Sequence, residues 1–431
     1  MVCKGSQPLA CVFKGRQPLG GAHREKAPCR SHQARAHQRT STMGAYLSSP
    51  IVEKDGEGGE NDFFEMGCTS MQGWRVDNED AHVATLRVAD NSGKALGVFG
   101  VFDGHGGREV SQFCARHWVT VWESTNAYRS GDIPRSLVES YLKMDDTLLL
   151  EENASELDEL TKKRDDGGNN GGDGQMVSKV QIRQILMGLR GNMEEAAGPA
   201  TSAAGEAPAD PPGGASGASP LDWSAVDSGP PRRTHGPSAG CTAVVAIATA
   251  EGELFVANAG DSRCVFSRNG KAVEMSHDHK PDEPREAERI HRAGAFVTDG
   301  RVNGSLNLSR AIGDMEYKQR RDLKPEQHAV TAYPDVRRIL MTDEDEFFVL
   351  ACDGIWDVLT NQEAVDFVKD RIGRMPLQKI CEEACDECLA PNTNGTGKGC
   401  DNMTIMIVRM KDAIKVKDKA TKDIGPSQII G

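Results

Sequence analysis

A carboxylate, an imidazole and three glycines are adjacent in Asp103-Gly104-His105-Gly106-Gly107. The apolar run at 96–102 directly precedes them and predicts a buried strand that ends at Asp103. Glycine has no Cβ, so backbone carbonyls and a bound ion can approach closely there. Aspartate offers hard oxygen ligands, and histidine exchanges a proton near neutral pH. The segment therefore predicts a metal site with a proton donor beside it.

Further acidic clusters along the chain strengthen this prediction. Each adjoins a strand-like or turn-like segment; they are Glu79-Asp80, Asp353-Gly354 and Asp401-Asn402. Mg²⁺ and Mn²⁺ prefer carboxylate, carbonyl and water oxygens in octahedral geometry. Together the clusters predict one oxygen-rich site for two divalent cations.

Within that site the residues suggest separate positions. Asp103 is the natural bridging ligand, with the Gly104 carbonyl beside it, and the flanking ligands are Glu79, Asp353 and Asp401. Zinc is disfavoured because these clusters lack paired cysteine and histidine.

Paired divalent cations suit phosphoester hydrolysis, because they activate water and neutralise phosphoryl charge. Arg75, four residues before Glu79, can hold the phosphate with its planar fork of donors. His105 can supply the proton to the leaving oxygen. Other readings exist for each residue: Asp103 and Asp353 could cap turns, Arg75 could be a surface charge, and His105 could be an interior histidine.

Strand-like and helical patterns occur in blocks without regular alternation, which favours an α+β layered fold over a βαβ fold. Strands are predicted at 96–102, 241–249, 253–258, 263–267, 346–352 and 403–410. Helices are predicted at 109–122, 133–152, 283–293, 361–372 with an Asn361 cap, and 375–389.

Composition divides the 431-residue chain into parts. Residues 1–60 are expected to be a disordered basic arm and linker, with an organelle transit peptide as the alternative. Residues 61–410 are expected to be the catalytic domain, and 411–431 a tail. A low-complexity insertion at about 165–238 interrupts the domain, since its Gly, Pro and Asp runs cannot bury enough apolar surface to fold. Within it, 177–193 has a helical pattern.

Charge and cysteine usage narrow the class of protein. The net charge of -13 argues against nucleic-acid binding. The twelve cysteines show no disulfide framework, so reduced thiols in a cytoplasmic or nuclear protein are expected. Four of them (Cys381, Cys385, Cys388 and Cys400) could hold zinc, but a buried apolar helix face explains the first three equally well. No apolar run reaches the length of a spanning helix, so no transmembrane segment is expected.

The segment Met43-Gly44-Ala45-Tyr46-Leu47-Ser48 fits the N-myristoylation pattern. Acylation requires translation to start at Met43, because Gly44 is otherwise internal. If Gly44 is acylated, we expect weak membrane contact, since one myristoyl chain binds only marginally.

The order of motifs resembles the metal-dependent protein phosphatases, also called PPM or type 2C serine/threonine phosphatases. The start at Met43 and the insertion are similar to gamma-type members. The motifs are residues 71–82 (MQGWRVDNEDAH), 101–107 (VFDGHGG), 238–243 (SAGCTA), 259–263 (AGDSR), 278–281 (DHKP), 301–306 (RVNGSL), 309–314 (SRAIGD), 351–357 (ACDGIWD) and 401–404 (DNMT).

The resemblance implies a central β-sandwich of two antiparallel sheets flanked by helices, with the metals at one end. It also implies two ions, Mg²⁺ or Mn²⁺, and phosphoserine or phosphothreonine proteins as substrates of a monomer. The implied ligands of one metal are Asp103, Asp353 and Asp401, and those of the other are Glu79, Asp103 and the Gly104 carbonyl. Asp80 and Asp314 are implied to lie behind these ligands. Asp261 and Asp353 are the implied ligands of a weaker third metal.

In the same resemblance, Arg75 holds the phosphate, His105 protonates the departing oxygen, and activated water attacks phosphorus without a phospho-enzyme intermediate. Two other classes stay open at this point. One is a non-catalytic protein that binds phosphoproteins, and the other is a hydrolase of small phosphoesters. No implied ligand position is substituted, which favours an active protein phosphatase.

Overall fold

The computed structural model describes residues 46–89, 95–162, 236–414 and 429–430. The strands are β1 (Tyr46–Glu60), β2 (Phe64–Arg75), β3 (Ala81–Ala89), β4 (Ala95–Phe102), β5 (Gly104–His105), β6 (Gly240–Cys241), β7 (Ala243–Thr249), β8 (Glu253–Ala259), β9 (Arg263–Arg268), β10 (Lys271–Glu274), β11 (Val297–Thr298), β12 (Arg301–Val302), β13 (Ile312–Gly313), β14 (Asp335–Leu340), β15 (Asp345–Ala351), β16 (Met403–Met410) and β17 (Ile429–Ile430). The α-helices are α1 (Glu109–Glu123), α2 (Asn126–Ser130), α3 (Ile133–Leu148), α4 (Ala154–Thr161), α5 (Pro284–Arg292), α6 (Asp353–Trp356), α7 (Asn361–Lys369) and α8 (Leu377–Cys388).

Two six-stranded antiparallel sheets form the centre of the described fold. The first has the order β1-β2-β16-β15-β9-β10, and the second has the order β17-β14-β8-β7-β4-β3. A small sheet, β13-β6-β5, lies beside the loop that follows β4. The predicted α+β fold with a central antiparallel β-sandwich is confirmed.

The core between the two sheets follows from the two-residue period of a strand. In β15, Phe348 and Leu350 face the other sheet, where Phe348 packs edge-on against Phe99 of β4 at 5.7 Å between ring centroids. The alternate residues Phe347 and Val349 face α6, α7 and α8 on the outer side. Both faces of this strand are therefore apolar and buried, as its continuous hydrophobic run requires.

Helices cover the outer faces of the sandwich. Helices α1, α3 and α4 pack on the second sheet around the buried Trp118 and Tyr141, while α6, α7 and α8 pack on the first. Helix α5 belongs to a separate small core with β12, built on Ile290 and Val302. None of the helices within the described residues is long and apolar enough to cross a bilayer.

Several boundaries differ from the sequence prediction. Residues 46–60 were expected to belong to a disordered arm, but they form β1, because their backbone pairs with β2 from Lys54↔Met71 to Glu60↔Glu65 despite a polar sequence. The helix predicted at 133–152 ends at Leu148. Helix α7 is capped by Thr360 and not by Asn361, since Thr360 Oγ1 accepts from the Glu363 amide while the Glu363 carboxylate accepts from Thr360.

Other predictions concern residues outside the described ranges. The arm up to residue 45, with Gly44, lies outside them. So does most of the predicted insertion at 165–238, including the helical pattern at 177–193, and most of the tail at 411–431.

Candidate active site

The predicted site residues lie where strands of the two sheets end. Asp103 follows β4, Asp261 lies between β8 and β9, Asp353 begins α6 just after β15, and Asp401 shortly precedes β16. Glu79 lies in the turn between β2 and β3. Antiparallel pairing of these strands brings residues that are more than 300 positions apart to one end of the sandwich.

Three carboxylates converge at the centre of this end. One carboxylate oxygen each from Asp103, Asp261 and Asp353 lies within 4.8 Å of the other two. Burial raises the pKa of Asp103 well above its ordinary value, and the negative charges of Asp353, Asp80 and other carboxylates raise it further. Burial and the charge of Asp261 likewise raise the pKa of Asp353. Such mutual repulsion is relieved when a cation binds among the carboxylates.

Asp80 extends the cluster on its inner side. Its carboxylate, that of Asp103 and the Cys352 sulfur form a second group with atoms within 4.8 Å of one another. Thr404 Oγ1 donates to Asp80 Oδ2 at 2.7 Å, while the buried Oδ1 has no hydrogen-bond partner among the described residues. Burial is the main reason that the pKa of Asp80 rises to about 6.

This donor set fits hard divalent cations. Buried carboxylates that repel one another, together with an unpartnered buried oxygen, call for a positive charge at this position. Their oxygens are the ligands that Mg²⁺ and Mn²⁺ prefer. The Cys352 sulfur is already engaged, since it accepts from the Thr404 amide at 3.1 Å.

Gly104 and Glu79 are packed too closely for any other residue at position 104. A Cβ on Gly104 would lie 2.2 Å from the Glu79 carbonyl oxygen, which also accepts from Ser111 Oγ. The Glu79 amide donates to Asn402 Oδ1 at 3.0 Å, and burial raises the pKa of the Glu79 carboxyl. Glu79 and Asp401 thus belong to the same end of the sandwich but lie outside the two tight carboxylate groups.

Arg75 is bonded to one of the predicted metal ligands. Its Nη2 donates to Asp401 Oδ2 at 2.5 Å, and its side chain is 39% exposed. Its buried Nε has no partner in the described part of the chain. The guanidinium therefore keeps donors for an anion that reaches the site.

His105 is paired with Asp314, which was expected to lie behind the metals. The His105 Nε2 is 2.7 Å from Asp314 Oδ2; the histidine side chain is 25% exposed and Asp314 is 4% exposed. Burial lowers the pKa of His105, but the charge and hydrogen bond of Asp314 outweigh this effect, so the pKa lies above its ordinary value. Asp314 therefore favours the protonated form of the imidazole.

Sequence reasoning gave no role to several residues of the site. Lys280 donates to Asp261, and Asn402 donates from Nδ2 to the carbonyls of Gln72 and Asp77 at 2.8 and 2.9 Å. The sequence signal for Lys280 was its place in the 278–281 motif, and Asn402 belonged to the Asp401-Asn402 cluster and the 401–404 motif. Neither signal reveals a partner elsewhere in the chain.

The cysteines considered for zinc have another role. Cys381, Cys385 and Cys388 lie on the buried face of α8 in a hydrophobic cluster, and the Cys381 thiol donates to the Gly67 carbonyl. In the described ranges, the side-chain groups that could hold a metal lie at the carboxylate cluster and not at these thiols.

Comparison with known proteins decides the family. The family model described as protein phosphatase 2C matches residues 64–168 and 224–397. This chain belongs to the protein phosphatase 2C family. It is a metal-dependent serine/threonine protein phosphatase.

Individual relatives of the phosphatase cover most of its length. It is 42% identical over 392 residues to probable protein phosphatase 2C 11 of Oryza sativa subsp. japonica, and the match covers 90% of this chain and 96% of the relative. It is 44% identical over 371 residues to probable protein phosphatase 2C 60 of Arabidopsis thaliana, covering 86% and 93%. The crystal structure of serine-threonine phosphatase 2C from Toxoplasma gondii has a similar fold, with a TM-score of 0.53, 19% identity, and coverage of 85% and 98%.

Proposed function

We propose that this phosphatase hydrolyses phosphoserine and phosphothreonine in proteins by direct attack of water on phosphorus, without a phospho-enzyme intermediate. The convergence of the Asp103, Asp261 and Asp353 carboxylates, with raised pKa values for Asp103 and Asp353, is the observation that carries the proposal. Such a cluster of buried carboxylates that repel one another is suited to divalent cations.

The proposed cofactors are Mg²⁺ or Mn²⁺, two per site with a weaker third. Asp103 would be a ligand of both of the stronger ions. Asp353 and Asp401 would hold one of them, and Glu79 and the Gly104 carbonyl would hold the other. Asp261 and Asp353 would hold the third ion. Bound there, the cations would supply an activated water and neutralise charge on the phosphoryl oxygens.

Arg75 would orient the phosphate. Its Asp401 partner holds the guanidinium through Nη2 and leaves the other N–H groups to donate to phosphoryl oxygens. Fixing the phosphate in this way would hold the phosphoryl group in one orientation for the attack.

His105 would protonate the leaving oxygen of serine or threonine. Asp314 accepts from one N–H of the imidazolium at Nε2, so the proton on Nδ1 is the one available for transfer. An alkoxide is a poor leaving group, and protonation as the P–O bond breaks removes that difficulty.

The thiol beside the site is a poor alternative nucleophile. Burial raises the pKa of Cys352 well above its ordinary value, and nearby carboxylates raise it further, so the sulfur stays protonated. This supports attack by water over formation of a phosphocysteine.

Release of phosphate from a phosphothreonine peptide tests the proposal. We expect turnover with Mn²⁺ or Mg²⁺ and loss of turnover in excess EDTA, with restoration on adding the metal back. Small phosphoesters assayed in parallel separate a protein phosphatase from a general phosphoesterase. Equal rates on the peptide with metal and with EDTA would contradict the proposal.

Further attributes belong to the same proposal. The catalytic domain spans 61–410 together with β1, and the insertion at 165–238 selects partners. The protein acts as a monomer in the cytoplasm or nucleus, without nucleic-acid partners. It contacts membranes weakly where translation starts at Met43 and Gly44 is acylated.

A further inference from the structure

Lys280 occupies an unusual position for a lysine on the rim of a site. Its Nζ donates to Oδ2 of Asp261, a carboxylate that is 2% exposed and belongs to the central cluster with Asp103 and Asp353. The Lys280 side chain is 40% exposed, so a charged ammonium reaches from solvent into an otherwise acidic cluster. Its positive charge also opposes the rise in the pKa of Asp353.

The backbone next to Lys280 is hydrogen-bonded to the loop that carries Asp261. The His279 amide donates to the Gly260 carbonyl at 2.9 Å, and the Gly260 amide donates back to His279 Nδ1 at 3.2 Å. Asn258 Nδ2 bridges the same two segments, donating to the carbonyls of Gly260 and His277. The loops of Asp261 and Lys280 are therefore fixed to each other.

A second connection holds the segment just before Lys280. Arg263 binds Asp278 with two parallel hydrogen bonds of 2.9 and 2.8 Å, and its guanidinium lies 5.3 Å from the ring centroid of Trp356. A lysine on a flexible surface loses side-chain entropy when it forms an ion pair. Here the surrounding loop is already ordered, so the ion pair with Asp261 forms without the further cost of ordering the loop backbone.

We propose that Lys280 is a built-in cation that competes with a divalent ion for the Asp103, Asp261 and Asp353 cluster. This inference rests on the proposed function, because it concerns the weakest of the proposed metals. A divalent ion that binds Asp261 must displace the ammonium, which then moves towards solvent through its exposed side. Lys280 thereby weakens binding of that ion, because the carboxylate that its ammonium binds is Asp261.

Substitution of Lys280 by methionine tests this competition, because methionine keeps an unbranched side chain and removes the charge. In calorimetry, the dissociation constant of the weakest Mn²⁺ site should be roughly fivefold lower in Lys280→Met than in the wild type. Lys280→Arg keeps the charge and should remain near the wild type. Lys369→Met is the matched control, since Lys369 is 42% exposed and pairs with Glu346 at 3.1 Å away from this site.

Thermal unfolding gives a second readout that does not depend on activity. In EDTA, Lys280→Met should unfold at a lower temperature than the wild type, because Asp261 loses its compensating charge. Added Mn²⁺ should raise its unfolding temperature by more than it raises that of the wild type. A variant that folds only with Mn²⁺ supports the competition, whereas one that Mn²⁺ does not rescue contradicts it.

The role of Lys280 and the proposed function can be contradicted separately. Mn²⁺ affinities and unfolding temperatures that are the same in the wild type and Lys280→Met would overturn the role of Lys280 alone. A wild-type protein that takes up no Mn²⁺ would overturn the proposed function itself.

Discussion

The Oδ2 atom of Asp314 lies 2.7 Å from Nε2 of His105, although the two residues are 209 positions apart in the chain. Asp314 has a φ of 50°, in the left-handed region, and its amide donates to the Ala239 carbonyl at 3.0 Å. Short strands β5, β6 and β13 hold these residues together. The pair thus places a buried carboxylate directly behind the proposed proton donor.

Replacing Asp314 by asparagine should weaken His105 as an acid, because the lost charge no longer favours the imidazolium. We expect kcat on a phosphothreonine peptide to fall at least about tenfold, and kcat on p-nitrophenyl phosphate to fall much less, since p-nitrophenolate leaves without a proton. Asp322→Asn, which removes an exposed partner of Arg320, is the control. Equal losses on both substrates would assign Asp314 a structural role.

Gly104→Ala should disrupt the site through a steric clash. The added Cβ would lie 2.2 Å from the Glu79 carbonyl oxygen, so the Glu79 turn must move away from Asp103. We expect weaker Mn²⁺ binding and a loss of roughly 1–3 kcal/mol in the free energy of unfolding. Gly395→Ala has nothing within 4 Å of its Cβ and should match the wild type. Wild-type Mn²⁺ affinity in Gly104→Ala would contradict this packing.

Much of the fold could be predicted from the sequence, because its signals are local. β16 matches the predicted 403–410, and α1 differs from the prediction by one residue. β1 could not be predicted, since its polar residues are ordered by pairing with β2 and not by their own pattern. The Thr360 cap was missed because adjacent Thr and Asn are both good caps and only the Glu363 contact distinguishes them.

The site was predictable in its residue types and less so in its pairings. Each acidic residue follows a recognisable strand or turn, so the clusters themselves identify a metal site. The ion pairs of Arg75 with Asp401 and Lys280 with Asp261 join different segments, and no local pattern specifies them. The close grouping of Asp261 with Asp103 and Asp353 likewise depends on how β4, β8 and β15 end together.

Glu286, which is not one of the proposed metal ligands, should make a contribution to the free energy of unfolding that depends on pH in the acid range. Burial would raise its pKa, but the Arg310 hydrogen bonds and the charges of Arg310 and Arg289 lower it to about 2. The folded-state pKa lies below the unfolded value, so the stabilisation is full above about pH 5 and declines as the pH falls towards 2.

Urea unfolding at several pH values checks this contribution. The stability difference between the wild type and Glu286→Gln should shrink by about 2 kcal/mol from pH 5 to pH 3. Glu288→Gln, which alters an exposed pair with Arg292, should show little change. A difference that is constant with pH would contradict the lowered pKa of Glu286.

Asp103→Asn should remove turnover while preserving the fold. The amide replaces a bridging carboxylate, and cation stabilisation worth several kcal/mol corresponds to a loss of at least about a hundredfold in kcat. Because one of several repelling charges is removed, the unfolding temperature in EDTA should not decrease. Activity within a few-fold of the wild type, at saturating Mn²⁺, would contradict the bridging role.

Anomalous X-ray scattering from crystals soaked in Mn²⁺ tests the central claim most directly. We predict two strong manganese peaks that share Asp103 as a ligand, with Asp353 and Asp401 on one side and Glu79 and the Gly104 carbonyl on the other. A third, weaker peak is expected beside Asp261. Crystals of catalytically active protein with no manganese at Asp103 would contradict the account.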